Sequence, residues 1–156
     1  MRVAVITISD RASRGEYGDT SGPEIEKEVK SRFADAAVTR RIVPDEPEDI
    51  LAALQAASGA DFIFTTGGTG ISPRDVTPEV TRRFIEKELP GVSERLRAES
   101  YAQTASTMLS RGVAGLKGRT IVVNFPGSLR AVRLCMEVIG PVMEHALRML
   151  QGEGHG

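Results

Sequence analysis

The segment Thr65–Gly70 reads Thr-Thr-Gly-Gly-Thr-Gly and follows an apolar run. Glycine adopts positive φ angles without strain, so the N–H groups of such a loop can converge on a phosphate or another anion. The segment is not a Walker loop, because Ile71-Ser72 follows its last glycine where that motif has Lys and Ser or Thr. It is not the dinucleotide fingerprint either, because Pro73 interrupts the chain before a helix begins. Alone, the segment is typical either of an anion-binding loop or of an ordinary glycine-rich turn.

Two acidic residues and one arginine accompany this segment. Arg74 and Asp75 follow it and precede a predicted helix start at Thr77-Pro78-Glu79. Asp45 follows an earlier apolar run and stands three residues before Glu48. Each acid could serve only its own helix, Asp45 as an N-cap and Asp75 as an acid near the helix dipole. Because guanidinium groups bind phosphates and carboxylate oxygens bind Mg²⁺, two acids beside an anion-binding loop together favour a metal–phosphate site.

Alternating strands and helices must position these residues. Short runs rich in Val and Ile predict strands, and capping residues or a Pro in the first turn predict helix starts. The predicted strands are Arg2–Ile8, Ala36–Val43, Asp61–Thr66 and Arg119–Asn124. The predicted helices begin near Thr20 or Ser21, Asp45, Thr77, Val92 and Ser128, and the last reaches about Leu150 with a kink at Pro141. The alternation predicts an α/β fold, a three-layer α/β/α sandwich around a mostly parallel sheet.

Small polar or glycine-rich residues follow all of the predicted strands. In chain order these are Ser9-Asp10, Pro44-Asp45, Thr65–Gly70 and Asn124–Ser128. Ligands of parallel sheets bind in the crevice outside the carboxyl ends of the strands, so these loops predict one shared site. Pro126-Gly127-Ser128 also leads into a helix N-terminus, which attracts anions, with Ser128 as its cap. Ser110 either contacts the ligand or only ends a helix.

Composition narrows the class of protein. The chain has 156 residues, with 20 Lys and Arg against 21 Asp and Glu, which argues against general nucleic-acid binding. No apolar run reaches the length of a membrane span, and the first apolar run is too short for a signal peptide, so a cytoplasmic protein is expected. The single cysteine, Cys135, excludes an intrachain disulfide framework and is expected to be a buried thiol. One domain is expected over residues 1–151, with a flexible tail at 152–156 that includes His155.

The loops together resemble a known family. Thr65–Gly70 followed by Pro73-Arg74-Asp75-Val76-Thr77-Pro78-Glu79 resembles the signature of the molybdopterin-binding enzymes of molybdenum-cofactor biosynthesis. Further blocks are similar to that family in the same order, namely Ile8–Arg11, Val43–Glu46, Met108–Arg111 and Asn124–Gly127. The resemblance covers the chain from residue 2 to about residue 150.

The resemblance implies a molybdopterin adenylyltransferase, which converts molybdopterin and ATP to adenylylated molybdopterin and pyrophosphate with Mg²⁺. It makes Asp45 and Asp75 the catalytic aspartates, which would also hold the Mg²⁺. Together with the strand-end loops, it gives the substrate- and nucleotide-binding residues as Ser9, Asp10, Thr66, Gly67, Gly68, Thr69, Gly70, Arg74, Ser110, Asn124, Pro126, Gly127 and Ser128. It further implies a homotrimer, or a hexamer in some members, and a molybdate-inserting enzyme as the downstream partner.

Two other functions stay open at this point. One branch of the family keeps the binding fold, and its adenylylation activity is uncertain or absent. A group of competence-associated nucleotide pyrophosphatases shares a related fold, but those proteins usually carry an Asp-Asp pair where this chain has Arg74-Asp75. The presence of both aspartates favours the active branch, whereas the choice between molybdenum and tungsten is left open because metal insertion is a later step.

Overall fold

A computed structural model of the protein describes residues 1–153, so that part of the expected tail, including His155, lies outside the described residues. The strands are β1 (Arg2–Ile8), β2 (Ala37–Val43), β3 (Phe62–Thr66), β4 (Lys87–Glu88), β5 (Ala114–Lys117) and β6 (Thr120–Phe125). The helices are α1 (Asp10–Ser13), α2 (Ser21–Arg32), α3 (Pro47–Ala56), α4 (Thr77–Phe84), α5 (Pro90–Tyr101), α6 (Leu129–Ile139) and α7 (Met143–Leu150). Short 3₁₀ turns span Ala105–Leu109 and Gly140–Val142.

The strands form one mixed sheet in the order β2-β1-β3-β6-β5-β4. Strands β2, β1, β3 and β6 are parallel, which confirms the mostly parallel sheet predicted from the sequence. The antiparallel strands β5 and β4 extend it at one edge and were not predicted. Gly115 allows β4 and β5 to pair closely, because a Cβ atom at this position would lie 2.5 Å from the carbonyl oxygen of Lys87. This glycine interrupts the β5 sequence Ala-Gly-Leu-Lys, which therefore lacks the alternating pattern typical of a strand.

Helices cover both faces of the sheet, which confirms the three-layer α/β/α prediction. The alternation of side chains along each strand divides the core into two clusters. On one face, Val3, Phe64 and Val123 of the sheet share a cluster with residues of α2, α5 and α6. On the other face, Ile6 and Ile63 share a cluster with residues of α3 and α4. Among residues 1–153, no helix has the length and hydropathy that a membrane crossing requires.

Several helix ends differ from the prediction. The N-cap of α3 is Glu46 rather than Asp45, whose carboxylate is engaged elsewhere. At α2, Thr20 is the N-cap residue, as predicted, but its side chain makes no capping hydrogen bond, and the Asp19 carboxylate instead accepts the Gly22 N–H at 3.0 Å. The predicted cap of α6 is confirmed, since Ser128 Oγ accepts the Ala131 N–H at 3.2 Å. The kink predicted at Pro141 is confirmed as a 3₁₀ turn between α6 and α7.

Cys135 is fully buried in α6, which confirms the buried thiol expected from the sequence. Burial raises the pKa of this thiol to about 12, and only the thiolate attacks alkylating reagents. We therefore expect the folded protein to resist iodoacetamide at pH 8, while the urea-unfolded protein is labelled once, as mass spectrometry would measure. Rapid labelling of the folded protein would contradict the burial of Cys135.

Candidate active site

The four parallel strands end at one edge of the sheet and bring their following loops together. Because β1 lies between β2 and β3, the loop after Ile8 lies between the loops after Val43 and Thr66. The loop after Phe125 follows on the far side of β3. The sheet thus brings the four predicted loops to one edge, as expected for a ligand crevice in a parallel sheet.

The glycine loop, Thr65–Gly70, turns through positive φ angles, as the sequence predicts. Gly67 has φ 97° and Gly68 has φ 67°, both in the left-handed region that favours glycine. Thr77, the first residue of α4, fixes this turn by donating its hydroxyl to the Gly67 carbonyl oxygen at 3.0 Å. The Thr77 N–H also donates to the Gly68 carbonyl oxygen at 3.1 Å. The start of α4 therefore holds the loop in place.

Asp45 and Asp75 lie beside different glycines of this loop. A Cβ atom on Gly68 would lie 3.0 Å from Asp45 Oδ1, and one on Gly70 would lie 2.9 Å from Asp75 Oδ2. Asp75 Oδ2 accepts the Ser72 N–H at 2.9 Å, so this carboxylate closes a turn outside the helix instead of serving α4 as a cap. The structure thus brings together the two acids and the glycine loop that the sequence separates.

A third acidic residue, Asp10, lies beside Asp45 at this edge of the sheet. The Asp10 N–H donates to Asp45 Oδ2 at 2.9 Å, and the Asp45 N–H donates back to Asp10 Oδ1 at 3.0 Å. Burial is the largest cause that raises the pKa of Asp45, and the charges of Asp10 and Asp75 raise it further. The hydrogen bond from the Asp10 N–H and the charge of Arg74 act in the opposite direction. A bound cation would relieve this repulsion between carboxylates.

The carboxylates of Asp45 and Asp75 are oxygen donors of the type that binds Mg²⁺ in proteins. Mg²⁺ is commonly held by one or two carboxylates together with waters and phosphate oxygens, rather than by a cage of protein ligands. Over residues 1–153, no group of three or more His, Cys, Asp or Glu side chains could hold a metal. A site built from Asp45 and Asp75 alone would therefore depend on oxygen ligands from the substrates.

Arg74 binds acids in this structure rather than presenting an open guanidinium. Its Nε and Nη2 donate to the two carboxylate oxygens of Asp10, each at 3.0 Å, and Nη2 also donates to Glu46 Oε1 at 2.7 Å. The hydrogen bond from Arg74 is the main reason that the pKa of Asp10 is lowered. Sequence reasoning gave Arg74 a phosphate-binding role and gave Glu46 no role. A phosphate would have to compete with both acids for this arginine.

Asn124 has a buried side chain that is hydrogen-bonded through both its amide nitrogen and its amide oxygen. Its amide nitrogen donates to Thr65 Oγ1 at 2.9 Å and to Thr81 Oγ1 at 3.0 Å. Its amide oxygen accepts the Val113 N–H at 3.1 Å. In this structure the Asn124 side chain has a structural role, since it joins β6 to β3, α4 and the residue before β5, and its contact with the ligand stays a prediction.

Of the other residues predicted to bind the ligand, some are buried and hold the loops in place, and others are exposed to solvent. Thr66 is buried and donates its hydroxyl to the Pro126 carbonyl oxygen at 2.8 Å, which ties two loops together. Thr69 is also buried. Gly127 and Ser128 are accessible where α6 begins. Ser110 lines a groove of about 380 Å³ that also includes Arg97 and Arg111.

Ser9 and an aromatic residue that the prediction missed meet at the edge of the site. Ser9 Oγ accepts the Ala12 N–H at 3.2 Å and lies 3.1 Å from the hydroxyl oxygen of Tyr17. Tyr17 is 46% exposed, and the Arg11 guanidinium lies 5.2 Å from the centre of its ring. By contrast, Phe125 is fully buried and stacks on Phe64, with ring centres 5.0 Å apart.

Comparison with known proteins gives consistent matches. A family model described as "Probable molybdopterin binding domain" matches residues 4–145. A molybdopterin adenylyltransferase from Pyrococcus furiosus is 40% identical over 154 residues, covering 94% of this chain and 89% of that protein. The molybdenum cofactor synthesis protein cinnamon of Drosophila melanogaster is 42% identical over 149 residues, which is 94% of this chain. The molybdopterin biosynthesis enzyme MoaB from Thermus thermophilus superposes with a TM-score of 0.88 at 41% identity, covering 97% of this chain and 96% of that one.

The length of the matches differs between relatives. The chain covers 25% of the Drosophila protein and 50% and 48% of two bacterial bifunctional proteins of molybdenum cofactor biosynthesis. The matched residues 4–145 nevertheless include all four loops at the carboxyl edge of the sheet. The chain therefore belongs to the molybdopterin-binding domain family.

Proposed function

We propose that this protein is a molybdopterin adenylyltransferase that acts in molybdenum-cofactor biosynthesis. It would transfer AMP from ATP to the phosphate of molybdopterin and release pyrophosphate. The observation that carries the proposal is the position of Asp45 and Asp75 beside Gly68 and Gly70 of one loop. The Pyrococcus furiosus relative that bears this enzyme's name supports the choice of reaction.

The reaction requires positioned phosphates rather than a protein nucleophile. An oxygen of the molybdopterin phosphate attacks the α-phosphorus of ATP, and the bond from that phosphorus to the pyrophosphate oxygen breaks as the new bond forms. The positive-φ turn at Gly67 and Gly68 would present N–H groups to phosphate oxygens, and the N-terminus of α6 offers a second place for an anion. Orientation of the two substrates then lowers the barrier.

Asp45 and Asp75 would hold the Mg²⁺ in this site. The ion would supply positive charge that offsets the charge developing on the transferred and leaving phosphates. Both aspartates favour the enzyme over a protein that only binds molybdopterin, because binding alone does not need two carboxylates near phosphate oxygens.

The proposal extends to assembly and cellular context. Val142 and Met149, near the end of the chain, are each 47% exposed, and such apolar surface supports assembly. The resemblance to the family favours a homotrimer, with a hexamer as the alternative.

ATP and molybdopterin are the proposed substrates in the cytoplasm. The proposed consumer of the product is a molybdate-inserting enzyme.

Pyrophosphate release tests the proposal. The wild-type protein is incubated with ATP and Mg²⁺, with and without molybdopterin, and we expect release only when molybdopterin is present. Tight molybdopterin binding without release would assign the protein to the binding-only branch. Release from ATP without molybdopterin would contradict the proposed substrate.

A further inference from the structure

Arg111 contacts three parts of the candidate site from outside the four strand-end loops. Its Nε donates to the Gly70 carbonyl oxygen at 2.8 Å, and its Nη2 donates to the Asp75 carbonyl oxygen at 2.8 Å. Its Nη1 forms an ion pair with Glu79 in the first turn of α4. The guanidinium therefore joins the last glycine of the loop to the backbone of a proposed catalytic aspartate.

The backbone that carries Arg111 is itself anchored. The Arg111 N–H donates to the Thr69 carbonyl oxygen at 2.8 Å, and Arg97 donates to the Gly112 carbonyl oxygen at 2.8 Å. The Val113 N–H donates to the buried Asn124 amide oxygen at 3.1 Å. Three successive residues are thus fixed by hydrogen bonds to different elements, so the guanidinium extends from a rigid base.

We propose that Arg111 is a positioning residue, which sets the place of the Asp75 carboxylate by binding the Gly70 and Asp75 carbonyl oxygens. This inference rests on the proposed function. Asp75 Oδ2 accepts the Ser72 N–H at 2.9 Å, and the Asp75 N–H donates to the Ser72 carbonyl oxygen at 2.9 Å, so Asp75 closes a small turn. With its carbonyl oxygen held by Arg111, that turn keeps one orientation relative to Gly70.

The planar fork of the guanidinium, and not only its charge, is needed for this role. An arginine donates from several nitrogens in a fixed geometry, whereas a lysine places one compact charge at the end of a flexible chain. A lysine at position 111 could keep an ion pair with Glu79 but could not reproduce the donors to both carbonyl oxygens. Arg111→Lys therefore keeps the positive charge at this position and removes the planar arrangement of donors.

The experiment compares Arg111→Lys and Arg111→Ala with Glu79→Gln and with a matched control, Arg95→Lys. Arg95 forms an exposed ion pair with Glu99 within α5, far along the chain from the loop. We expect both Arg111 variants to lower kcat and to raise the Mg²⁺ concentration for half-maximal activity about 10- to 100-fold, the range found when groups that orient a metal ligand are removed. Glu79→Gln should have a much smaller effect, and Arg95→Lys should behave as the wild type.

Amide hydrogen exchange supplies a readout that needs neither substrate nor metal. The N–H groups of Ser72, Asp75 and Thr77 are hydrogen-bonded within the loop, and we expect them to exchange about tenfold faster in both Arg111 variants, with unchanged exchange in the core of the sheet. Wild-type exchange and wild-type Mg²⁺ dependence in Arg111→Lys would overturn the proposal. Faster exchange over the whole chain would also overturn it, by showing general destabilisation.

The two proposals fail in different ways. If the wild-type protein releases no pyrophosphate, the proposed function fails, and the exchange of Ser72 and Asp75 still decides whether Arg111 fixes the loop. If the wild type is active and Arg111→Lys matches it in both measurements, only the role of Arg111 is contradicted.

Discussion

Replacing Asp75 by Asn is expected to lower kcat for pyrophosphate release by about 100- to 1000-fold, the scale of losing one preorganised electrostatic contact to a transition state. The substitution removes the charge that would hold Mg²⁺ beside Gly70. An asparagine oxygen can still accept the Ser72 N–H, so the turn and the affinity for molybdopterin should be retained. Steady-state kinetics and equilibrium binding of molybdopterin measure the two effects separately.

Asp61→Asn is the matched control for this substitution. Asp61 Oδ2 accepts the Arg2 N–H at 2.7 Å, before β3 begins and therefore at the opposite end of the strand from the glycine loop. The same chemical change at this place should leave turnover close to wild type. Equal activity of Asp75→Asn and the wild type would contradict a catalytic role for Asp75.

Replacing Gly67 by Ala is expected to lower stability by at least about 2 kcal/mol, because left-handed backbone and a close contact each penalise a side chain. Gly67 has φ 97°, and a Cβ atom would lie 2.3 Å from the Ile8 carbonyl oxygen. The backbone would have to shift by a sizeable fraction of an ångström, which displaces the loop from both aspartates. In the fraction that folds, activity should fall about 100-fold, as for other misplaced catalytic groups. Thermal unfolding and kinetics of the purified variant measure both changes.

Gly91→Ala provides the comparison for this prediction. Gly91 lies in the first turn of α5, and nothing lies within 4 Å of a Cβ atom there. This substitution should leave stability unchanged or raise it by about 0.5–1 kcal/mol, because alanine restricts the unfolded chain and suits a helix. Wild-type stability and activity in Gly67→Ala would show that the loop tolerates a side chain at its first glycine.

The sequence pattern predicts most of the sheet because the three central parallel strands, β1, β3 and β6, are apolar runs buried on both faces. β1 has the predicted bounds, and β3 and β6 lie within one residue of theirs. β4 has two residues and β5 contains Gly115, so neither carries a periodic pattern. β5 is placed by pairing with β6, and β4 by pairing with β5; both are tertiary interactions and have no local signal in the sequence.

The site was predicted as a set of loops, but its internal contacts depend on which strands are neighbours. The reciprocal hydrogen bonds between Asp10 and Asp45 follow from the β1–β2 register, in which Ile8 is opposite Val43. The same pairing explains why Asp45 does not cap α3. Arg111 stands 41 residues after Gly70, and its signal in the sequence is its place in the Met108–Arg111 block, which gave it no role in holding the glycine loop. Asn124 was predicted to bind the ligand from its place after the last predicted strand and from the resemblance to the family, whereas its side chain is buried and bonded to Thr65, Thr81 and Val113.

The transfer of AMP to molybdopterin is tested most directly by following the α-phosphate of ATP. The wild-type protein is incubated with ATP labelled at the α-phosphate, Mg²⁺ and molybdopterin, and the products are separated by chromatography. We predict that the label moves to the pterin as one AMP group for each pyrophosphate released. Label that stays in free AMP or ADP, with no labelled pterin, would contradict adenylyl transfer by this protein.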